Sequence, residues 1–170
     1  CSVCGAAEPA APAKPTYATT PEIGKAYKLG MFSTAKDAEY YFTGKMSGYY
    51  GATDTAFENG IDVFVEQASG GYYLYFKNDA GQKQYISLVH VFNNGGEHYN
   101  FVFNSAPNSV FTWDTEKYSF KTTVNNQICY IGTYGIYVTM SVLRTDKLGD
   151  NDYYARLYMA NGTSSDTPTD

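Results

Sequence analysis

Nine short runs of aromatic and β-branched residues, cut apart by Gly, Asn and Asp, leave this chain little but β-structure to build. The runs are IDVFVEQ (61–67), YYLYFK (72–77), QYISLVHVF (84–92), YNFVF (99–103), SVFTW (109–113), YSFKTTV (118–124), QICYIG (127–132), IYVTMSVL (136–143) and YYARLYM (153–159). Such side chains fit a pleated, half-buried surface. Asn59-Gly60, Gly70-Gly71, Asn93-Asn94-Gly95-Gly96 and Asn125-Asn126 supply turns between them. Residues 72–88 read as one hairpin. Helical signal is confined to Ser33–Ala38 and Thr53–Asn59, each too short to sustain a helix. The expectation is an all-β sandwich or barrel.

A repeat narrows this further. Tyr40, Tyr85 and Tyr130 recur at intervals of 45 and 45. Leu29, Leu74 and Phe120 precede them at intervals of 45 and 46, and Phe64, Phe111 and Leu157 follow at 47 and 46. A unit of about 45 residues cannot bury its apolar face alone, so fixed periods of this length signal stacked or closed repeats. Three units, 24–69, 70–114 and 115–160, each with room for four strands, predict a β-trefoil-like barrel capped by hairpins; a two-sheet β-sandwich is the alternative. Repeating phase places Tyr40, Tyr85 and Tyr130 in the core.

The ends differ in composition. Residues 1–21 hold four of the six prolines and read as an extended linker. Residues 161–170 read as a polar tail, leaving 22–160 as the folded domain. Cys1 at the head of such a linker is the residue that lipoprotein processing would leave as a lipid anchor, or else an arbitrary start. Cys1 and Cys4 form C-x-x-C without the further ligands a zinc site requires. These features place the chain outside the cell, secreted or at the surface.

Composition and motifs limit the chemistry. A net charge of -5 with no basic cluster argues against nucleic acid. No apolar run is long enough to cross a membrane as a helix. His90 sits inside SLVHVF and His98 beside a Gly-rich turn, and neither has a local triad context. Cys129, between Ile128 and Tyr130, reads as a small core residue. No two carboxylates stand out as a hydrolase pair, and no phosphate-binding loop is present, so no cofactor is expected. Asp146, Asp150 and Asp152 cluster, but Leu148, Asn151 and Leu157 occupy positions where an EF-hand needs oxygen ligands or Gly. That cluster reads as a solvated turn or a weaker calcium site.

The strings YYFTGKMSGYYGATDT (40–55), IDVFVE (61–66), GGYYLYF (70–76), VFTWDTE (110–116) and YIGTYGIYVTMS (130–141) resemble a Tyr-rich module of secreted and surface-anchored proteins of gut Firmicutes. More distantly, the threefold pattern is similar to the β-trefoil superfamily of ricin-type lectins and fascin-like proteins. The lectin branch's Gln-x-Trp signature is missing, since Phe111-Thr112 precedes Trp113. The resemblance implies an extracellular β-trefoil module and transfers no binding residue.

Aromatic residues in loop contexts remain: Tyr49 and Tyr50 after Gly48, Tyr134 before Gly135, and Trp113 beside Asp114. Flat rings cover the C–H face of a sugar while nearby polar groups take its hydroxyls; the same rings could equally pack the barrel. Trp113, in phase with Met159, leans to the core. The expectation is a non-catalytic binding module for glycan, with Tyr49, Tyr50, Trp113, Asp114 and Tyr134 as candidate site residues and neither metal nor catalytic group. A protein-interaction or assembly module of a surface protein is the alternative.

Overall fold

A computed structural model describes residues 15–135 and 137–159; Cys1, the greater part of the Pro-rich stretch and the tail lie outside the described residues. The described chain is all-β with curled antiparallel sheets, consistent with a sandwich or barrel-like fold. In chain order the strands are β1 (Thr16–Tyr17), β2 (Ala26–Ser33), β3 (Ala38–Ser47), β4 (Tyr50–Asp54), β5 (Asp62–Ala68), β6 (Gly71–Lys77), β7 (Lys83–Asn93) and β8 (Gly96–Asn104). They continue with β9 (Thr112–Asp114), β10 (Ser119–Val124), β11 (Gln127–Thr133), β12 (Ser141–Arg144), β13 (Tyr153–Tyr154) and β14 (Arg156–Met159). Phe57–Asn59 and Thr145–Lys147 form single 3-10 turns, while Ser33–Ala38, the other helical candidate, is the β2–β3 turn.

The strands follow one another around a common interior. β14 pairs with β2, β2 with β5, and β5 with β6, all antiparallel. β6 meets Phe111 through an isolated bridge in which Tyr72 and Phe111 exchange both backbone hydrogen bonds at 2.8 Å. β9 then pairs with β10. The Ser119 hydroxyl of β10 donates to the carbonyl of Ala155, next to β14, at 2.5 Å. Gly71 permits the closest approach: a Cβ there would strike the Phe111 carbonyl. Hairpins project from this ring: β3–β4, β7–β8 and β11–β12.

Inside lie Leu29, Val65, Leu74, Phe76, Phe111, Phe120, Ile131 and Leu157, each 1% exposed or less. Leu157 faces Leu29, Val65 faces Leu74, and Trp113 faces Phe120 across the strand pairs. Phe64, expected in phase with Phe111 and Leu157, points instead to the outer face, where it stacks on Tyr75 at 5.3 Å. Strand side chains alternate faces, so a one-residue slip in phase reverses the direction. Tyr40, opposite Met31, packs against the core as expected, whereas Tyr85 and Tyr130, though buried, lie with Tyr41 outside the main core cluster. Thr16–Tyr17, inside the stretch read as linker, pairs with β14, so ordered structure reaches N-terminally of residue 22.

Candidate functional site

Two hairpins and one loop bring the candidate aromatics together. Ser47 pairs with Tyr50, so Gly48-Tyr49 is a two-residue turn; Gly48 at φ 68° takes the left-handed position and puts Tyr49 at the tip. The β7–β8 turn is likewise tight, with Asn94 at φ 49° and Gly95 at φ 75°. Tyr134 follows β11, and its phenol oxygen accepts the Arg144 backbone N–H at 2.6 Å.

These elements enclose an open cleft of about 430 Å³ lined by Tyr50, Glu97, His98, Tyr99, Tyr134, Ser141, Val142, Arg144 and Lys147. Arg144 organises one wall. Its guanidinium lies over the Tyr99 ring at 4.4 Å and contacts Glu97 at 3.4 Å. It also grips Asp146 with two bonds of 3.1 and 2.9 Å. Bidentate pairing of this kind fixes the planar group in place. His90 reaches the other Glu97 oxygen at 3.0 Å and sets its ring edge-on to Tyr99. Burial raises the Tyr134 phenol, with the Arg144 N–H partly offsetting it. The phenol therefore stays neutral at physiological pH, and having accepted one bond it keeps its own proton to donate. The cleft presents three tyrosines with donors and acceptors of both signs at their edges.

Of the sequence candidates, Tyr50 and Tyr134 share this cleft. Tyr49, 66% exposed, lines an adjoining hollow with Asn93, Asn94, His98 and Asn100. Trp113 and Asp114 lie elsewhere. The Trp113 ring packs edge-on to Phe120 at 4.8 Å and its indole N–H donates to the Thr19 carbonyl at 2.9 Å. Asp114 accepts the Tyr130 hydroxyl at 2.5 Å and the backbone N–H groups of Glu116 and Lys117 at 2.8 and 3.0 Å. Burial pushes its carboxyl up, but these bonds and the nearby Lys121 outweigh it and hold the group at about 2. Both residues serve the turn between β9 and β10.

Tyr99, Glu97 and Arg144 were not singled out from the sequence. Tyr99 and Arg144 sit in or beside strand-like runs, and only the β7–β8 and β11–β12 registers show which face they occupy. The acidic cluster is not gathered: Asp146 is taken by Arg144, and Asp152 accepts the Gly149 N–H. Among the described residues no group of three or more His, Cys, Asp or Glu could hold a metal ion. Burial drives the Cys129 thiol up to about 11, so it stays protonated at neutral pH. No described helix is long and apolar enough to cross a membrane. No family model matches the chain, nor does any curated protein or solved structure.

Proposed function

We propose that this chain is a non-catalytic, extracellular binding module whose ligand is glycan, held in the cleft between Tyr50, Tyr99 and Tyr134. The observation that carries the reading is the convergence of these rings on one open cleft whose polar groups are already fixed by Arg144, Glu97 and Asp146. Aromatic floors with a few preset polar groups suit a ligand with apolar faces and hydroxyl rims. The Pro-rich N-terminal stretch supports display on a secreted or surface protein. The test is a glycan array with the full chain, followed by titration of Tyr50→Ala and Tyr134→Ala. Binding lost in both folded variants supports the reading; a blank array rejects it.

The finer architecture proposed is the β-trefoil. Its support is that each segment supplies a ring strand, a hairpin and a second ring strand: β2, β3–β4, β5; then β6, β7–β8, Phe111–β9; then β10, β11–β12, β14. Tyr41, Tyr85 and Tyr130 pair with Gly30, Tyr75 and Lys121 at matching places, and each phenol bonds a carboxylate, Glu39, Glu66 and Asp114 in turn.

A protein partner is the second reading. Phe92, Tyr49 and Tyr137 are 72%, 66% and 68% exposed. Phe92 precedes Asn93 of the Tyr49 hollow, and the Tyr137 N–H donates to the Tyr134 carbonyl. Exposed aromatics of this kind suit a protein interface. A blank array together with self-association that Phe92→Asp abolishes, read by sedimentation, would favour it.

A further inference from the structure

A second cleft, of about 630 Å³, lies on another part of the molecule and shares no residue with the first. Tyr17 of β1, Phe32 of β2, Tyr118 and Tyr158 of β14 form its aromatic walls, and Glu39 and Arg156 line it too. We propose that this cleft is a separate binding site for a neutral, hydroxyl-rich ring, one sugar residue in size or slightly larger.

Three observations point there. The first is a buried phenol without a hydrogen-bond partner among the described residues. Tyr158 is 3% exposed, and its phenol has no hydrogen bond among the described residues. Buried tyrosine hydroxyls ordinarily find a partner. The side-chain charges that act on this phenol are those of Glu39 and Arg156, both lining the cleft.

The second is an unneutralised pair of opposite charges. Among the described residues Glu39 accepts only the Tyr41 hydroxyl, at 3.3 Å. Arg156 lies over the Tyr17 ring at 4.5 Å and donates through Nε to the Lys117 carbonyl at 3.3 Å. Among the described residues neither forms an ion pair. The cleft therefore offers an acceptor-only carboxylate, a donor-only guanidinium and a phenol that does both. A ligand hydroxyl also does both, and a ring carrying several hydroxyls can serve all three groups without bringing a net charge.

The third is a turn that places an aromatic ring on the wall. Tyr27, Tyr72 and Tyr118 each stand two residues before the matched core residues Leu29, Leu74 and Phe120. Tyr27 and Tyr72 are ordinary strand residues. Tyr118 instead closes the four-residue β9–β10 turn, its N–H donating to the Asp114 carbonyl at 2.8 Å and its φ of 53° matching the 54° of Asp37 at the end of the β2–β3 turn, and its ring comes to 5.8 Å from that of Tyr17. The turn thereby aims at the cleft a ring whose two counterparts stay in strands.

The test titrates methyl glycosides of glucose, galactose, mannose and N-acetylglucosamine into the ¹⁵N-labelled full chain. At least one should cause saturable shifts at the Arg156 Nε–H and the Tyr118 and Tyr158 amides. Tyr118→Gly should abolish the shifts of the remaining reporters; glycine suits φ 53°, so this variant keeps its fold, and the rest of the spectrum shows it. Glu39→Gln should weaken binding roughly tenfold, the worth of one charge-assisted hydrogen bond. Tyr50→Ala should change nothing here. Absence of shifts at these positions with all four glycosides overturns the proposal, as do shifts that survive both cleft variants. Shifts confined to Tyr50 and Tyr134 overturn it while supporting the first cleft; shifts confined to Arg156 and Tyr118 uphold it and count against the first.

Discussion

Asp114 looked, beside Trp113, like part of a ligand site, and its real partners explain why sequence could not show otherwise. Tyr130, sixteen residues on, closes over it only because β10 and β11 pair in one register. Its carboxyl is lowered from an ordinary value near 3.8 to about 2. A group whose folded-state value is depressed stabilises the fold above its unfolded value and loses that contribution as pH falls through the folded one. The side chain is 14% exposed, so little of the effect is screened. Unfolding free energy should therefore drop by about 2 kcal/mol between pH 4 and pH 2 on account of this group. Asp114→Asn should flatten that part of the pH profile in urea titrations, whereas an unchanged slope would assign the loss to other carboxylates. Gly132 makes a second point at this scale. A Cβ there would strike the Tyr153 carbonyl and the Leu143 side chain, where β11 meets β12 and β13. Gly132→Ala should cost about 1–3 kcal/mol through overpacking, read as a lower urea midpoint at unchanged m-value.

Strand existence was legible in the sequence and strand phase was not. Runs such as 72–77 and 127–132 fall almost wholly on β6 and β11, because alternating rings and turn residues act locally. Of the described residues in IYVTMSVL, β12 takes only Ser141, Val142 and Leu143; Met140 instead bridges Gly51 of β4, and Tyr137 donates its N–H to the Tyr134 carbonyl. Phe64 is one residue out of phase, and the repeat groups Tyr40, which packs against the core, with Tyr85 and Tyr130, which lie outside its main cluster; Tyr40-Tyr41 and Val63-Phe64-Val65 are apolar on both faces, so nothing local tells inside from outside. Tyr50 and Tyr134 were legible because flanking glycines mark loops. Tyr99 and Arg144 were not, because strand runs hide which side faces a cleft. Trp113 separates the two kinds of role. Its indole ties Thr19, just beyond β1, to the β9–β10 hairpin. Trp113→Phe keeps the ring against Phe120 and deletes that tie, so it should cost about 0.5–1.5 kcal/mol in unfolding free energy followed by far-UV circular dichroism. Glycan affinity at the Tyr50–Tyr134 cleft should be unaltered; a matching loss of affinity would return Trp113 to the binding site.

At the scale of the whole molecule, closure makes one prediction that separates a shared interior from three linked units. Leu29, Leu74 and Phe120 belong to different segments, yet each faces a residue of the neighbouring segment: Leu157, Val65 and Trp113. A segment that unfolds alone would expose half of two such pairs, so the pairs should break together. The sole tryptophan, Trp113, sits where the second segment meets the third and is distant in sequence from Leu29. Leu29→Ala removes fully buried methyl groups and should cost about 2–5 kcal/mol. If the interior is common, Trp113 fluorescence must register that loss in full, with the same midpoint and slope in urea as backbone circular dichroism, as two-state unfolding requires. Phe120→Ala, which touches Trp113 directly, should shift both probes by a comparable amount. A Trp113 transition that stays at its original midpoint while circular dichroism moves would mean that the first segment unfolds on its own. The β14–β2, β5–β6 and β9–β10 pairings would then be contacts between units rather than seams of one barrel. Coincident transitions would instead make these three pairings, which join each segment to the next, the places where the fold commits to a single core.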